Sequence, residues 1–304
     1  GTTYNMSQSV SINGATCFNV TAANVTLDCA GFSVTGNNTT GTYGVYTNQF
    51  NTTVKNCIIS NFQHGVYFNG ATNGTIQNDT ASTTYSNSIA IYIVGGADYN
   101  TIINSTGNSS SGYGIALSAT SGNTITNSNG TSSNVAILIF SSTGSRISNS
   151  NGISTTGYGI SLSSGSDSNT IINSTGTSGS GSGIVIVSSG SNNITSSNGT
   201  ATSGSGIYAG GSSNNRITNS TGTSTSSFGI YLDSSSSNTI ANSTATSNTS
   251  YAIYLSGSSS SQIYNNTFRS AGGASTLALL TGTSGSNTFY WNNFTSTTGY
   301  YVND

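Results

Sequence analysis

The sequence predicts an all-β solenoid, and three observations support this fold class. Two short motifs recur together about every 23 residues along nearly the whole chain. Within each motif, apolar β-branched or aromatic residues alternate with polar ones, which is typical of half-buried strands. Clusters of Gly, Ser and Asn separate the motifs, as expected for turns. A fixed period of this length indicates stacked repeats, and it matches one turn of a parallel β-helix with two or three short strands per coil.

The first motif is Asn-Thr-Ile-x-Asn, as in the segment 100–104, and its central apolar residue marks each coil. Leu27 begins the series after a longer first gap, and Phe289 continues it at the other end. A propeller blade would need about 40 residues and four strands, so this repeat is too short for one. The markers between these two ends are Val54, Ile76, Ile102, Ile125, Ile147, Ile171, Ile194, Ile217, Ile240 and Ile263.

The second motif is Gly-Ile-x-Leu, which stays in step with the first. Clear copies begin at Gly114, Gly159 and Gly229, and Ala replaces the Gly in three other copies. Each coil therefore contains both motifs, and we count about eleven or twelve coils. We expect a single domain over residues 1–304, with an atypical N-terminal coil at 1–35 and an aromatic C-terminal end at 285–304.

The composition excludes several classes of protein. Charged residues make up 3% of the chain, with four Lys or Arg, six acidic residues that are all Asp, and one His; ordinary soluble domains contain roughly 25%. So few basic residues provide no surface for nucleic acid or for anionic lipid. The longest apolar runs, Ile89–Val94 and Val135–Phe140, are too short to span a membrane. The chain opens at Gly1 without a charged and apolar leader, as expected of a processed form or a fragment.

The acidic residues do not form a recognisable catalytic site. Asp98 and Asp167 have the same offset from their markers but lie three coils apart, which corresponds to ~14 Å. Glycoside hydrolysis by two carboxylates needs a separation of roughly 5–10 Å. His64 cannot form a metal site alone. We therefore predict no catalytic, cofactor or metal site, and we expect that the chain is not an enzyme.

Two of the charged residues align in neighbouring coils. Asp28 and Lys55 each follow a marker by one residue, so we expect an outward pair on adjacent strands. The simplest interpretation is a surface ion pair. The alternative joins the two residues to His64 in a small site.

The three cysteines allow three disulfide pairings. Cys29 and Cys57 differ by one in their offset from the marker, so their side chains should face opposite ways. We favour a Cys17–Cys29 disulfide, with Cys57 free or paired elsewhere. The alternative is three reduced, packed thiols.

Asn recurs two residues after most markers, and we expect this row to point inward as a hydrogen-bonded ladder. It comprises Asn56, Asn78, Asn104, Asn127, Asn149, Asn173, Asn219, Asn242 and Asn265. Many Asn residues also occur in Asn-x-Ser/Thr triplets, the acceptor motif for N-linked glycans. Glycans would help to keep an almost uncharged surface soluble. The candidates for glycosylation are the turn residues Asn37, Asn38, Asn51, Asn73, Asn108 and Asn248.

The repeats resemble those of the pectate-lyase-like right-handed parallel β-helix superfamily, and most closely the NosD-type repeat proteins of cell surfaces. The opening stretch 24–31 (Asn-Val-Thr-Leu-Asp-Cys-Ala-Gly) resembles a first coil of that type, and 287–294 resembles a late one. The resemblance implies a single-stranded, right-handed parallel β-helix and an extracellular or cell-surface location. It is specific for the fold and less so for function, because the superfamily includes lyases, hydrolases, epimerases, adhesins and inert surface proteins.

We expect a structural glycoprotein, the subunit of a surface filament, sheath or layer, whose partners are N-linked glycans and further copies of itself. Head-to-tail contacts that do not close produce filaments. The alternative is a carbohydrate-binding or adhesive module that uses Tyr208, Tyr231 and Tyr254 on one stacked face, and the third possibility is a polysaccharide lyase or hydrolase. The candidates for the assembly interface are Tyr290, Trp291, Phe294, Tyr300 and Tyr301.

Overall fold

The computed structural model describes residues 1–270, 276–282, 284–296 and 300–303. The regular elements in these ranges are β-strands, numbered β1 to β39 in chain order, and they form three parallel sheets. Each coil contributes one strand to each sheet, with about 23 residues per turn and about 12 turns. The predicted all-β parallel solenoid is therefore confirmed.

The three sheets take every third strand of the chain. The first sheet contains β1 (Thr2–Asn5), β4 (Val25–Asp28), β7 (Thr53–Lys55), β10 (Thr75–Gln77), β13 (Thr101–Ile103), β16 (Thr124–Thr126), β19 (Arg146–Ser148), β22 (Thr170–Ile172), β25 (Asn193–Thr195), β28 (Arg216–Thr218), β31 (Thr239–Ala241), β34 (Gln262–Tyr264) and β37 (Thr288–Tyr290). The second sheet contains β2 (Val10–Ser11), β5 (Ser33–Thr35), β8 (Ile58–Ser60), β11 (Thr80–Thr83), β14 (Thr106–Ser109), β17 (Asn129–Ser132), β20 (Asn151–Ser154), β23 (Thr175–Ser178), β26 (Asn198–Ala201), β29 (Thr221–Ser224), β32 (Thr244–Ser247), β35 (Thr267–Ser270) and β38 (Asn293–Ser296). The third sheet contains β3 (Phe18–Val20), β6 (Tyr43–Thr47), β9 (His64–Asn69), β12 (Ile89–Val94), β15 (Tyr113–Ser118), β18 (Val135–Phe140), β21 (Ile160–Ser163), β24 (Ile184–Val187), β27 (Ile207–Gly210), β30 (Ile230–Asp233), β33 (Ile253–Ser256), β36 (Thr276–Thr281) and β39 (Tyr300–Asn303).

The chain divides into two compact units, residues 1–153 and residues 154–304. In each unit the marker residues pair directly from coil to coil, and those between Val54 and Ile263 are buried. Ile102 pairs with Ile125 in the first unit, and Ile217 pairs with Ile240 in the second. The first motif therefore supplies the apolar core of the first sheet, as its alternation predicts. The single domain expected from the sequence stays a prediction.

Glycine lets the second and third sheets approach closely. A Cβ atom on Gly176 of β23 would collide with the carbonyl oxygen of Gly183, just before β24, and one on Gly206, just before β27, would collide with the amide nitrogen of Thr223 on β29. Both contacts are far closer than an ordinary van der Waals contact. The Gly of the second motif therefore marks the point at which the two backbones meet.

The Asn row faces outward and not inward as we predicted, although its side chains do bond from coil to coil: Asn104 Nδ2 donates to Asn78 Oδ1 at 3.3 Å. Residues such as Asn78 and Asn104 have φ values of 57° and 50° and are exposed. Asn tolerates this left-handed conformation better than most residues, so it occupies the turn after each strand of the first sheet. The turn directs the following residue inward, and the amide of Ser105 donates to Ser128 Oγ at 3.1 Å. The buried ladder therefore lies one residue further along the chain.

The predicted Cys17–Cys29 disulfide is wrong, because the structure pairs Cys29 with Cys57. Their Cα atoms are 4.8 Å apart and both residues are buried, whereas Cys17 is a free thiol. We expected the side chains of Cys29 and Cys57 to face opposite ways because we assumed that strand alternation continues from each marker to its cysteine. The segment after each marker strand is a turn. Asn56 has a φ of 58° and comes before Cys57, but in the preceding coil Ala30 takes this conformation after Cys29. The two side chains consequently point the same way.

The predicted surface pair is confirmed. Asp28 and Lys55 are register partners on β4 and β7, with 3.1 Å between Asp28 Oδ2 and Lys55 Nζ. His64 lies on β9 of the third sheet, so it does not join them in one site. No helix in the described ranges is long and apolar enough to cross a membrane.

Candidate functional site

The outward face of the third sheet carries a column of tyrosines in the second unit. In β30 and β33 the two apolar residues of the second motif are buried, and the tyrosine between them is half-buried on the outward face. Tyr208, Tyr231 and Tyr254 occupy this outward position and are register partners. Their ring centroids are 5.1 and 4.9 Å apart in succession. The prediction that these three tyrosines share one stacked face is therefore confirmed.

Two further aromatic rings complete this surface. Phe228 lies 5.0 Å from Tyr231 and 4.6 Å from Tyr254, measured between ring centroids. Tyr251 stacks on Phe228 at 5.9 Å. All five rings are half-buried, so their faces pack on one another while edges and hydroxyl groups meet solvent. We call Tyr208, Phe228, Tyr231, Tyr251, Tyr254 and the adjacent Asp233 the Asp233 platform.

The phenol groups of the Asp233 platform bond to the following coil. Tyr208 Oη donates to Asp233 Oδ2 at 3.3 Å, and Tyr254 Oη lies 3.0 Å from Thr281 Oγ1. Gly210 leaves room for this arrangement, because a Cβ atom there would collide with the hydroxyl of Tyr208. The Tyr208 hydroxyl is thus held against the Asp233 carboxylate, and the Tyr254 hydroxyl is held by Thr281.

Burial makes the phenols of Tyr208 and Tyr231 harder to ionise than an ordinary tyrosine. It raises the pKa of Tyr208 to about 12, with the negative charge of Asp233 as the next cause. The pKa of Tyr231 is raised for the same two reasons. A protonated phenol both donates and accepts hydrogen bonds. The platform therefore offers donors and acceptors together at neutral pH.

A second aromatic surface lies on the third sheet of the first unit, and we call it the His64 platform. Tyr67 is its central ring, 5.7 Å from Tyr46 and 5.3 Å from Tyr92 between centroids. Tyr43 lies 4.6 Å from Tyr67 and stacks on His64 with 7° between the ring planes. Burial raises the pKa of Tyr67 to about 12.

His64 is an uncharged member of its platform. Its Nδ1 accepts the amide proton of Ile89 at 3.1 Å, and burial lowers its pKa to about 4. The neutral ring therefore carries its proton on Nε2, where it can donate a hydrogen bond.

An apolar recess borders the His64 platform. The outward column continues from Tyr92 to Ala116 and Leu138, and the small side chain of Ala116 leaves a gap in it. The recess has a volume of about 210 Å³, and its walls include Ile89 and Tyr113. Its lining suits the apolar side of a ligand whose polar groups contact the tyrosines.

We did not predict the His64 platform from the sequence, nor the rings of Phe228 and Tyr251 in the Asp233 platform. A signal for them exists, because an aromatic residue stands directly before the Gly or Ala of several second motifs. Examples are Tyr43, His64, Phe228 and Tyr251. We took that Gly as the start of the motif, although the residue before it lies on the same outward face as the tyrosine column.

The remaining acids have structural partners. The Asp98 and Asp167 side chains each accept an amide hydrogen bond from the following coil, at 2.7 and 2.6 Å. Asp79 is buried beside the disulfide, where its Oδ1 accepts the amide proton of Cys57 at 2.7 Å. Within the described ranges, no group of three or more His, Cys, Asp or Glu residues could hold a metal ion. The Asp233 platform is therefore where a carboxylate, a hydrogen-bonded phenol and exposed ring edges come together.

The glycosylation candidates differ in exposure. Asn37, Asn51, Asn73 and Asn248 are exposed. Asn38 and Asn108 are half-buried, and both amide atoms of Asn108 already bond to other side chains.

The assembly candidates lie on the last coils. Trp291 is 78% exposed, while Tyr290 stacks on Tyr264 at 4.9 Å and Phe294 lies 5.3 Å from Phe268. The side chains of Tyr300 and Tyr301 lie outside the described residues.

Comparison with known proteins identifies relatives of the fold. The chain matches the family described as right handed beta helix region over residues 43–203 and 164–303. A periplasmic alginate epimerase, AlgG, is similar with a TM-score of 0.72 and 13% identity, over 90% of this chain and 76% of the epimerase. The catalytic domain of a GH87 α-1,3-glucanase is similar with a TM-score of 0.55 and 14% identity, over 98% of this chain. The chain spans 63% of that glucanase structure, which is less than two thirds. A comparison with curated sequences gives no significant match.

These comparisons correct the prediction that the chain is not an enzyme. That prediction rested on the absence of a carboxylate pair and on the resemblance to surface repeat proteins. The solved structures named above share the fold over at least nine-tenths of the chain, and both are enzymes that act on carbohydrates. A missing acid pair is therefore insufficient ground for assigning a non-enzymatic role to a chain of this fold.

Proposed function

Because the chain belongs to the right-handed β-helix family, we propose that it is a carbohydrate-active enzyme that binds a polysaccharide on the Asp233 platform. The observation that carries this proposal is the column of three half-buried tyrosines on the outward face of the third sheet, one of which donates a hydrogen bond to a carboxylate. The named activities of the epimerase and the glucanase support the same class of substrate.

The geometry of the tyrosine column suits a linear glycan. Successive rings are separated by 4.9–5.1 Å along the column, which is comparable with the length of one pyranose residue. Each sugar can then bond to one phenol hydroxyl while its C–H groups contact ring edges. Protonated phenols match sugar hydroxyls, which also donate and accept. The His64 platform and its recess offer the first unit a binding surface of the same kind.

The Tyr208–Asp233 pair is the candidate for chemistry. Its 3.3 Å hydrogen bond holds Tyr208 Oη in place beside Asp233. The Asp233 carboxylate can accept a proton from a water that attacks the glycosidic carbon, while the bond to the leaving sugar oxygen breaks and that oxygen takes a proton from solvent. Proton transfer by a positioned side chain contributes about 10²–10⁴-fold to a rate. The half-buried position of both groups keeps the pair beside a bound chain and still open to it.

The protein acts outside the cytoplasm in this proposal. The Cys29–Cys57 disulfide is a feature of oxidising compartments. The epimerase of similar fold is named as periplasmic, and polysaccharides are most abundant at and beyond the cell surface.

Four variants test the proposal against a panel of soluble polysaccharides, with affinity electrophoresis for binding and new reducing ends for turnover. Tyr231→Ala should weaken binding about tenfold, because it removes one ring and its hydroxyl. The matched control is Tyr99→Ala, which removes a 64% exposed tyrosine in the turn before β13 and should have no effect. Asp233→Asn and Tyr208→Phe should keep binding but lose turnover. Equal losses in Tyr231→Ala and Tyr99→Ala, or no binding to any glycan, would contradict the proposal.

Self-association of copies is a second candidate, and it is compatible with glycan binding. The observation that favours it is the exposed Trp291 beside the stacked pair Tyr264 and Tyr290. Sedimentation velocity at increasing concentration should show larger species that Trp291→Ala abolishes. A strictly monomeric protein at high concentration would contradict it.

N-linked glycans are proposed at the exposed sequons, with Asn51 and Asn73 as the first candidates. The intact mass of native material should then exceed the 30.6 kDa of the polypeptide. A mass equal to that value would contradict glycosylation.

A further inference from the structure

The four cationic residues of the chain all lie away from the third sheet. The sequence contains four Lys or Arg residues. Lys55, Arg146 and Arg216 are on β7, β19 and β28 of the first sheet, and Arg269 is on β35 of the second. Lys55 is further occupied by its ion pair with Asp28. The described strands of the third sheet carry no Lys or Arg.

The charge on the third sheet is instead negative. Asp233 lies on its outward face, at the end of β30 and beside Tyr208. His64, the one histidine of the chain, accepts a backbone hydrogen bond on Nδ1 within an aromatic stack. Neither platform therefore presents a positively charged group to a ligand.

From this distribution we infer that the polysaccharide bound by the third sheet is uncharged, an inference that rests on the function proposed above. A polymer of uronic acids carries one carboxylate on each sugar. Proteins hold such carboxylates with Arg, Lys or a metal ion, and a desolvated carboxylate without a partner is costly. Asp233 would also repel it. Phenol hydroxyls and ring edges match a neutral sugar without leaving any charge unpaired.

The inference distinguishes this chain from the epimerase of similar fold. AlgG is named for alginate, which is a polymer of uronic acids. Elimination and epimerisation at a uronic sugar need the carboxylate to be neutralised while a proton leaves the neighbouring carbon. The described strands of the third sheet carry no cationic side chain for that step. The inferred substrate class therefore differs from the one for which AlgG is named.

Affinity electrophoresis tests the inference with four polymers of defined charge: a β-glucan and a mannan, which are neutral, and alginate and polygalacturonate, which are anionic. The unmodified chain should be retarded by at least one neutral polymer and by neither anionic one. Retardation should be unchanged between 50 and 500 mM NaCl, and it should not depend on added Ca²⁺ or EDTA. Asp233→Lys should gain affinity for the anionic polymers, because it replaces the repelling charge by an attracting one.

Two control variants test whether the arginines of the first and second sheets take part in binding. Arg216→Gln and Arg269→Gln should leave every affinity unchanged. Binding to alginate or polygalacturonate that Tyr231→Ala abolishes would overturn this inference and leave the proposed function intact. Loss of binding in Arg269→Gln would place the ligand on the second sheet, and retardation by none of the polymers would overturn both proposals.

Discussion

Asp79 is an acid in a ladder whose other members end in hydroxyl or amide groups. Its Oδ1 accepts the amide proton of Cys57, and its Oδ2 is buried without a hydrogen-bond partner. At the equivalent position of a later coil, Asn266 accepts the amide proton of Ser243 and donates Nδ2–H to the carbonyl of Ile240 at 2.9 Å. A carboxyl group can reproduce this pattern only when it is protonated. Burial accordingly raises the pKa of Asp79 to about 7.

Stability should therefore fall with pH because of Asp79. Its pKa is higher in the folded chain than the ordinary value of 3.8, so its contribution is complete below about pH 4 and is lost as the pH rises through 7. The loss is on the order of 4 kcal/mol in the free energy of unfolding. Urea unfolding from pH 4 to pH 8 should show this decline relative to Asp79→Asn, in which the amide supplies the missing donor. The other ionisable groups contribute equally to both proteins, so they cancel in this comparison. Parallel pH profiles for the two proteins would contradict the assignment of the pH dependence to Asp79.

The corrected disulfide leads to a second prediction at this scale. The Cys29–Cys57 bond closes a segment of 28 residues, so replacing both cysteines with Ala should reduce the free energy of unfolding by about 2–4 kcal/mol. Cys17→Ala should cost clearly less, because Cys17 is a half-buried free thiol. Alkylation of the denatured, unreduced chain should label Cys17 alone. Label on Cys57 would restore the pairing that we first expected.

At the scale of the strand, alternation and period predict the fold well and the turns poorly. The buried markers and the tyrosine column could be predicted because their positions repeat inside strands. The exposure of Asn104 and the pairing of Cys57 could not, because both depend on a residue with positive φ between two strands. One such residue changes which later side chains face inward. The ring of Phe228 was not predicted for another reason, since it lies one residue before the Gly with which we began the second motif.

Close approach of the second and third sheets should make the motif glycines sensitive to any side chain. Gly206→Ala places a Cβ atom against the amide nitrogen of Thr223 on β29 of the second sheet, and such overpacking costs about 1–3 kcal/mol. Gly285→Ala is the matched control, since no atom lies within 4 Å of its added Cβ. In urea denaturation, the free energy of unfolding should be lower for Gly206→Ala than for Gly285→Ala by at least that amount. Equal stability would mean that the sheets can move apart without cost.

For the whole molecule, the repeated coil implies stability that is local along the chain. Each coil contacts mainly its neighbours, and solenoids behave as sums of such contacts. The division into units 1–153 and 154–304 is consistent with this. Very low charge suggests little long-range electrostatic coupling, because the chain carries four basic and six acidic residues.

A core truncation in one unit should therefore leave the other unit protected. Ile217 is buried between Ile194 and Ile240, so Ile217→Ala should cost about 2–5 kcal/mol. Hydrogen exchange measured by mass spectrometry should lose protection in the coils around 194–240 and retain it in residues 1–153. Uniform loss along the chain would instead support the single cooperative domain expected from the sequence.

Hydroxyl-radical footprinting with a bound neutral glycan is the most direct test of the claim that the third sheet binds the substrate. We predict that oxidation of Tyr208, Tyr231 and Tyr254 falls on binding while oxidation of Tyr99 does not change. Protection confined to Trp291 or to the second sheet, or no protection at any tyrosine of the column, would contradict the account.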